Sequence, residues 1–228
     1  MKRLLLLCTL GLATLGAAGQ VASADINVFV GYADNLRPSP FFPSPWDGDP
    51  GVIFLGQHGG SFDGGAIRLQ NTGPSDVVLG PGAHVDGFNN GANFQLWDGL
   101  IGTGVTIHPG ENLVLTQTSG ENFDTSDQTS GSPSSPDTNH PVIHLTLNNQ
   151  ALDFVDSAQV LNTGGFDLAA VNNSNESLQW RPIGTTGIEN PGGNPNPGGV
   201  PEPGSMALLG SGLLCLGGFA IRRRASRK

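Results

Sequence analysis

The sequence predicts an all-β protein in which residues 25–183 form a single antiparallel β-sandwich of the Ig-like or jelly-roll kind. Three observations support this prediction. Short segments alternate apolar and polar side chains with a period of two, as strands with one buried face do. Turn residues recur between these segments. No long stretch has helical periodicity, and Lys, Ala and Glu are too scarce to drive helix formation.

The predicted strands are short and separated by turns. Ile26, Val28 and Val30 share one face of the first strand, and residues 67–70 alternate as clearly. Further candidate strands occupy residues 94–97, 105–107, 113–116, 142–147 and 160–161. Sequences with Gly, Asn or Pro lie between them at residues 71–74, 80–82, 89–91 and 108–110.

Two long segments without strand patterning interrupt the predicted sandwich. Residues 35–51 contain five prolines together with the aromatic residues Phe41, Phe42 and Trp46. Residues 119–141 are rich in Ser, Asp and Thr. Loops of this length are usually functional or disordered, so both segments are candidates for binding.

The body between the chain termini is acidic and contains no cysteine. The formal net charge is −9, and Arg37, Arg68 and Arg181 are the only basic residues between the terminal clusters. An acidic surface repels phosphate backbones, so nucleic-acid binding is not expected. Cys8 and Cys215 lie in the terminal apolar segments, so the body cannot form an internal disulfide.

The first 24 residues have the three parts of a secretory signal peptide. Lys2 and Arg3 supply the positive region, and an apolar stretch begins at residues 4–12. Small residues at 22–24 form a cleavage pattern, which predicts a cut between Ala24 and Asp25. The body is therefore expected to be exported.

The C-terminal residues combine a linker, a short motif, an apolar run and a basic end. Residues 184–199 are rich in Gly, Pro and Asn, and residues 206–221 are apolar. At 1.5 Å per residue, this run is marginal for a bilayer core of about 30 Å. The arginines that follow this run are expected to stay on the cytoplasmic side of the membrane, as positive charges usually do. The flanking motif residues are Val200, Pro201, Glu202, Pro203, Arg222, Arg223 and Arg224.

This order of features resembles the PEP-CTERM sorting domain of Gram-negative bacteria, over residues 200–228. The resemblance implies recognition of Pro201, Glu202 and Pro203 by an exosortase, a membrane transpeptidase-like protease. It also implies a transient inner-membrane anchor, display on the cell surface or in the extracellular matrix, and a link to exopolysaccharide and biofilm. Proteins with this tag have unrelated bodies, so the tag predicts an address and not an activity.

Carboxylates cluster at residues 47–49, at 124–127 and at 153–156. Such clusters supply the oxygen ligands that calcium prefers, but none has the complete pattern of a calcium loop. The favoured interpretation is that these segments are solvated acidic loops and that the protein has no cofactor. Bound calcium is the alternative. His140 and His144 have a helical spacing in a segment that is predicted to be a strand, so a metal site is not expected there.

The sequence offers no complete catalytic motif. The sequence has no Gly-x-Ser-x-Gly elbow and no cysteine in the body. We therefore predict a non-enzymatic structural or adhesive component of the envelope. The alternatives are a carbohydrate-binding module and, less favoured, a hydrolase that acts on polysaccharide. Trp46 is the best candidate for stacking on a sugar ring, and packing over one end of the sandwich is its equal alternative.

Overall fold

The computed structural model describes residues 24–188, and these residues form an all-β fold of ten strands, as predicted. Two short helices, α1 (Asp98–Ile101) and α2 (Leu168–Asn172), and a 3-10 turn at Ser126–Gln128 complete the described part. The strands are β1 (Ala24–Asp34), β2 (Val52–Leu55), β3 (Asp63–Asn71), β4 (Val77–Leu79), β5 (His84–Asp86), β6 (Val105–Ile107), β7 (Asn112–Leu115), β8 (Val142–Leu147), β9 (Gln150–Val155) and β10 (Leu178–Ile188).

The strands form two sheets. The first has the order β10-β1-β3-β7-β2, and the second has the order β5-β8-β4-β6, with β9 also paired to β8. The prediction of wholly antiparallel sheets is wrong at one edge, because β2 and β7 are parallel. These two strands are distant in sequence, and the chain between them is long enough to make the crossover that a parallel pair needs.

The main core is built from alternating side chains of both sheets, which gives a sandwich-like arrangement. Ile26, Val28 and Val30 are fully buried, so the face predicted for the first strand is confirmed. The same cluster contains Val85 of β5 and Ile143 of β8 from the second sheet. The core is therefore continuous between the layers, as burial of two apolar sheet faces requires.

A second, smaller core lies on the other face of the first sheet. Residues 35–51 pack there and place the ring of Trp46 5.6 Å from Phe62 and 6.1 Å from Trp180, centroid to centroid. The Trp180 Nε1 group donates to the carbonyl of Pro45 at 3.1 Å. Gly31 permits this close approach, since a Cβ there would lie 3.0 Å from the Trp180 ring and 3.2 Å from Pro43. The proline-rich segment is thus a cover for the sheet.

Some predicted boundaries are wrong. Residues 94–97 contain a single bridge, from Phe94 to Val85, and residues 160–161 lie in a turn. Residues 184–188, which were predicted as the start of the linker, lie in β10 and pair with β1. Gly184 lets the ring of Phe154 pack directly on the β10 backbone, since a Cβ at this position would lie 2.7 Å from that ring.

Within residues 24–188, the structure contains no helix that is long and apolar enough to cross a membrane. The predicted membrane segment, the Pro-Glu-Pro motif with its arginine cluster, and the signal peptide up to residue 23 lie outside the described residues.

Candidate functional site: a buried acidic cluster and a sorting motif

Strands β1 and β3 bring two carboxylates together where β1 ends and β3 begins. Asp34 is the last residue of β1, Asp63 is the first residue of β3, and the two are directly paired. Two distant segments add further side chains at this point. We call the assembly the acidic cluster, and it consists of Asp34, Asp63, Asp124 and Glu176 with Arg37, Tyr32 and Ser126.

Arg37 is the cation of the acidic cluster. Its Nη1 donates to Asp34 Oδ2 at 2.9 Å and to Asp63 Oδ2 at 2.8 Å, and it lies 3.9 Å from Glu176 Oε2. The oxygens of these three carboxylates approach within 4.8 Å of one another, a spacing that could hold a metal ion. Since the guanidinium already lies within ion-pair distance of all three carboxylates, the acidic cluster contains its own cation.

A hydroxyl pair links Asp124 to the same network. The Tyr32 hydroxyl donates to Asp124 Oδ1 at 2.8 Å and lies 3.1 Å from Ser126 Oγ. Ser126 Oγ lies 2.9 Å from Asp124 Oδ1 and 3.1 Å from Glu176 Oε2. Burial, followed by the negative charge of Asp124, raises the pKa of Tyr32 well above its usual value. Tyr32 therefore stays a hydrogen-bond donor.

Glu176 joins the acidic cluster to the start of α2. Its Oε1 accepts from the backbone N–H of Leu168 at 2.9 Å and of Ala169 at 3.3 Å. Its own backbone N–H donates to Asp34 Oδ2 at 3.1 Å. Burial raises the pKa of Glu176 to about 7, and the negative charge of Asp63 adds to this shift.

A carboxyl group with a pKa near 7 suits general acid–base catalysis. Here, however, the burial of the carboxylates favours a structural role. Asp34 is 0% exposed and Glu176 is 2% exposed, so a substrate cannot reach either carboxylate. Their oxygens already accept hydrogen bonds from Arg37, Ser126 and backbone groups. The acidic cluster therefore fastens both long segments and the start of α2 to β1 and β3.

The carboxylates predicted as calcium candidates do not assemble within their own loops. Asp49 Oδ2 accepts from the backbone N–H of Trp46, and Asp47 pairs with His58. Asp124 belongs to the acidic cluster. Asp156 is fully buried and accepts from the backbone N–H of Leu161. The contacts of Asp49 and Asp156 are local contacts to the backbone, whereas Asp47 and Asp124 have side-chain partners elsewhere in the chain.

Of the two interpretations of Trp46, packing agrees with the structure, but the side chain packs on the outer face of the first sheet and not over one end of the sandwich. Only 9% of its surface is exposed, and its ring lies 5.2 Å from Phe54, centroid to centroid. Trp97 is fully buried and donates from Nε1 to the carbonyl of Thr116 at 2.8 Å. A sugar ring cannot stack on either side chain without displacing the residues packed on it.

Trp46→Phe is expected to lower the free energy of unfolding by about 1–2 kcal/mol, because it removes part of a buried aromatic contact. Urea unfolding measures this loss. The control is Leu100→Ala, at a side chain that is 47% exposed, for which a change within about 0.5 kcal/mol is expected. Equal midpoints for the two variants would contradict the packing of Trp46.

Sequence reasoning missed most of the acidic cluster. Asp34, Asp63 and Glu176 are isolated acids in the sequence, and no motif joins them. One usable signal was present. Arg37 is one of three arginines in an acidic body, so it was a good candidate for a partly buried ion pair.

Comparison with known proteins gives one match. Residues 199–224 match the family of the PEP-CTERM protein-sorting motif, which confirms the predicted tag. No curated protein and no solved structure matches the chain. The tag marks an exported protein that is sorted by an exosortase. It does not indicate what residues 24–188 do.

Proposed function

We propose that the chain is a non-enzymatic structural or adhesive component of the cell surface or extracellular matrix, associated with exopolysaccharide. The match of residues 199–224 to the sorting motif carries this proposal. The acidic cluster supports it, because its carboxylates fasten distant segments together and two of them, Asp34 and Glu176, are buried.

The proposed maturation removes both ends of the chain. A signal peptidase cuts between Ala24 and Asp25. Residues 206–221 hold the chain in the inner membrane, with Arg222, Arg223 and Arg224 on the cytoplasmic side, until the exosortase acts at Val200-Pro201-Glu202-Pro203. The strand positions are compatible with both cuts. The first cut removes only Ala24 from β1, and β10 ends at Ile188, before the sorting motif.

Glu202→Ala is expected to block C-terminal processing, because it removes the charged residue of the recognition motif. Cells that carry the variant should retain the peptide ending in Lys228 in the membrane fraction, and mass spectrometry of the termini would detect it. Glu189→Ala, outside the matched residues, is the control and should be processed normally. An intact Lys228 in the secreted, unmodified protein would overturn the proposed maturation.

Exopolysaccharide association has a separate test. The secreted protein should co-sediment with exopolysaccharide from its own cells and should stay soluble without it. If the protein is correctly processed but remains in the supernatant, the association fails while the sorting proposal stands.

A further inference from the structure

Two histidines and two aspartates form a row on the outer face of the second sheet. His84 of β5 is directly paired with His144 of β8, and His144 is paired in turn with Asp153 of β9. Asp86 lies two residues after His84 and so shares its face. Their neighbours Val85 and Ile143 point into the core, so the row faces outward; His84, Asp86 and His144 are half-buried, and Asp153 is exposed.

The Nδ1 atom of each histidine ring is held by a hydrogen bond to another part of the protein. His84 Nδ1 lies 2.8 Å from the carbonyl of Gly82, so Nδ1 carries the hydrogen and Nε2 keeps its lone pair. His144 Nδ1 lies 2.8 Å from Asp153 Oδ1, and its Nε2 lies 3.0 Å from Asp86 Oδ1. The two rings are stacked, with centroids 4.3 Å apart and planes at 12°.

This pattern is that of a metal site with its supporting shell. A histidine that binds a metal almost always donates its other N–H to a backbone carbonyl or a carboxylate, which orients the ring. Gly82 and Asp153 make these two contacts. We propose that His84 Nε2, His144 Nε2 and the Asp86 carboxylate bind a divalent transition ion of the zinc class.

Ligand types and separations agree with this assignment. Because stacked, nearly parallel rings cannot both point Nε2 at one ion, one of the two rings must turn when the ion binds. The ligand atoms of His84, Asp86 and His144 lie within 4.8 Å of one another. The 3.0 Å separation of His144 Nε2 and Asp86 Oδ1 is close to the roughly 3.3 Å between two ligands of a tetrahedral ion with bonds of about 2.0 Å. Two imidazoles select zinc, copper or nickel, whereas calcium and magnesium require mainly oxygen ligands.

Three protein ligands leave a fourth position for water, which the half-exposed location allows. When the ion binds, the proton shared by His144 Nε2 and Asp86 is released to solvent and the metal takes its place. The ion then links the three-residue strand β5 to β8. Because binding requires both strands in place, the ion stabilises the folded state.

Zinc titration of the full-length chain tests the proposal. The protein is prepared in mild detergent without a polyhistidine tag, stripped with a chelator and titrated with zinc chloride by calorimetry. One ion per chain is expected. His84→Gln should weaken binding at least tenfold, and Asp153→Asn, which removes the support of His144, should weaken it about 10–100-fold. Excess calcium should not change the zinc affinity.

A matched control is available at the exposed pair of His108 and Asp76. His108 Nδ1 lies 2.8 Å from Asp76 Oδ1, as His144 Nδ1 does from Asp153, so His108→Gln removes a histidine–carboxylate pair of the same geometry. Its zinc affinity should equal that of the unmodified chain. Unchanged affinity in His84→Gln, or an equal loss in His108→Gln, would overturn the proposal.

Folding of the variants is checked separately by circular dichroism in chelator. If His84→Gln is unfolded there, Asp86→Asn takes its place, since it keeps the size of the side chain and removes the anionic ligand. The same tenfold loss is expected, and unchanged binding counts against the site.

Discussion

Replacing Arg37 with methionine is expected to lower the free energy of unfolding by about 3–5 kcal/mol at pH 7. Methionine keeps an apolar stem but removes the cation that contacts Asp34, Asp63 and Glu176. Asp34 is fully buried, so its charge would lose its counter-ion without gaining water. Leaving one member of a buried ion pair unpaired is among the costliest single changes in a folded protein.

Urea unfolding followed by tryptophan fluorescence measures this effect, since Trp97 is fully buried in the folded state. Arg181→Met is the matched control, because Arg181 is exposed and a change within about 0.5 kcal/mol is expected. The loss in Arg37→Met should shrink as the pH falls below 7, because Glu176 and Asp63, whose pKa values are raised by burial, become protonated and neutral. If Arg37→Met and Arg181→Met unfold at the same urea concentration, Arg37 is not the balancing cation.

The first sheet shows how much of the fold could be predicted from the sequence. Residues 26–30 alternate cleanly because only one face of that part of β1 is fully buried. Residues 67–70 lie in β3, which pairs with β1, and they alternate in sequence although Arg68 on the other face is buried as well. β2 was missed because all four of its residues are apolar, and all four are half-buried. β10 was missed because its glycines resemble a linker, although Gly184 is needed for contact with Phe154.

The acidic cluster could not be predicted because its members meet only through tertiary structure. Asp34 and Asp63 are neighbours through the register of β1 and β3, across a loop of unpatterned sequence. Glu176 contacts Asp34 from 142 positions away in the chain. The histidine row has the same origin, since His84 and His144 are brought together by the pairing of β5 and β8. The tag, in contrast, is a contiguous sequence and was predicted correctly.

The stability of the folded body is expected to fall as the pH rises from about 4.5 to 7. The pKa of Glu176 is raised from 4.5 to about 7 in the folded state, chiefly by burial. Between these values the folded protein holds a proton that the unfolded chain has released, so the contribution of Glu176 is complete below pH 4.5 and is lost as the pH rises through 7. The size of the effect is up to about 3 kcal/mol. Asp63 acts in the same direction, because burial also raises its pKa.

Glu176→Gln separates this carboxyl from the other acidic residues. Glutamine stays neutral and keeps an acceptor for the backbone N–H of Leu168, so the fall in unfolding free energy between pH 4.5 and 7 should be much smaller. At pH 8 the variant should be more stable than the unmodified protein, because it carries no buried charge at this position. Glu121→Gln, at an exposed residue, should reproduce the unmodified profile. Identical profiles for Glu176→Gln and the unmodified protein would show that Glu176 is already ionised at pH 5.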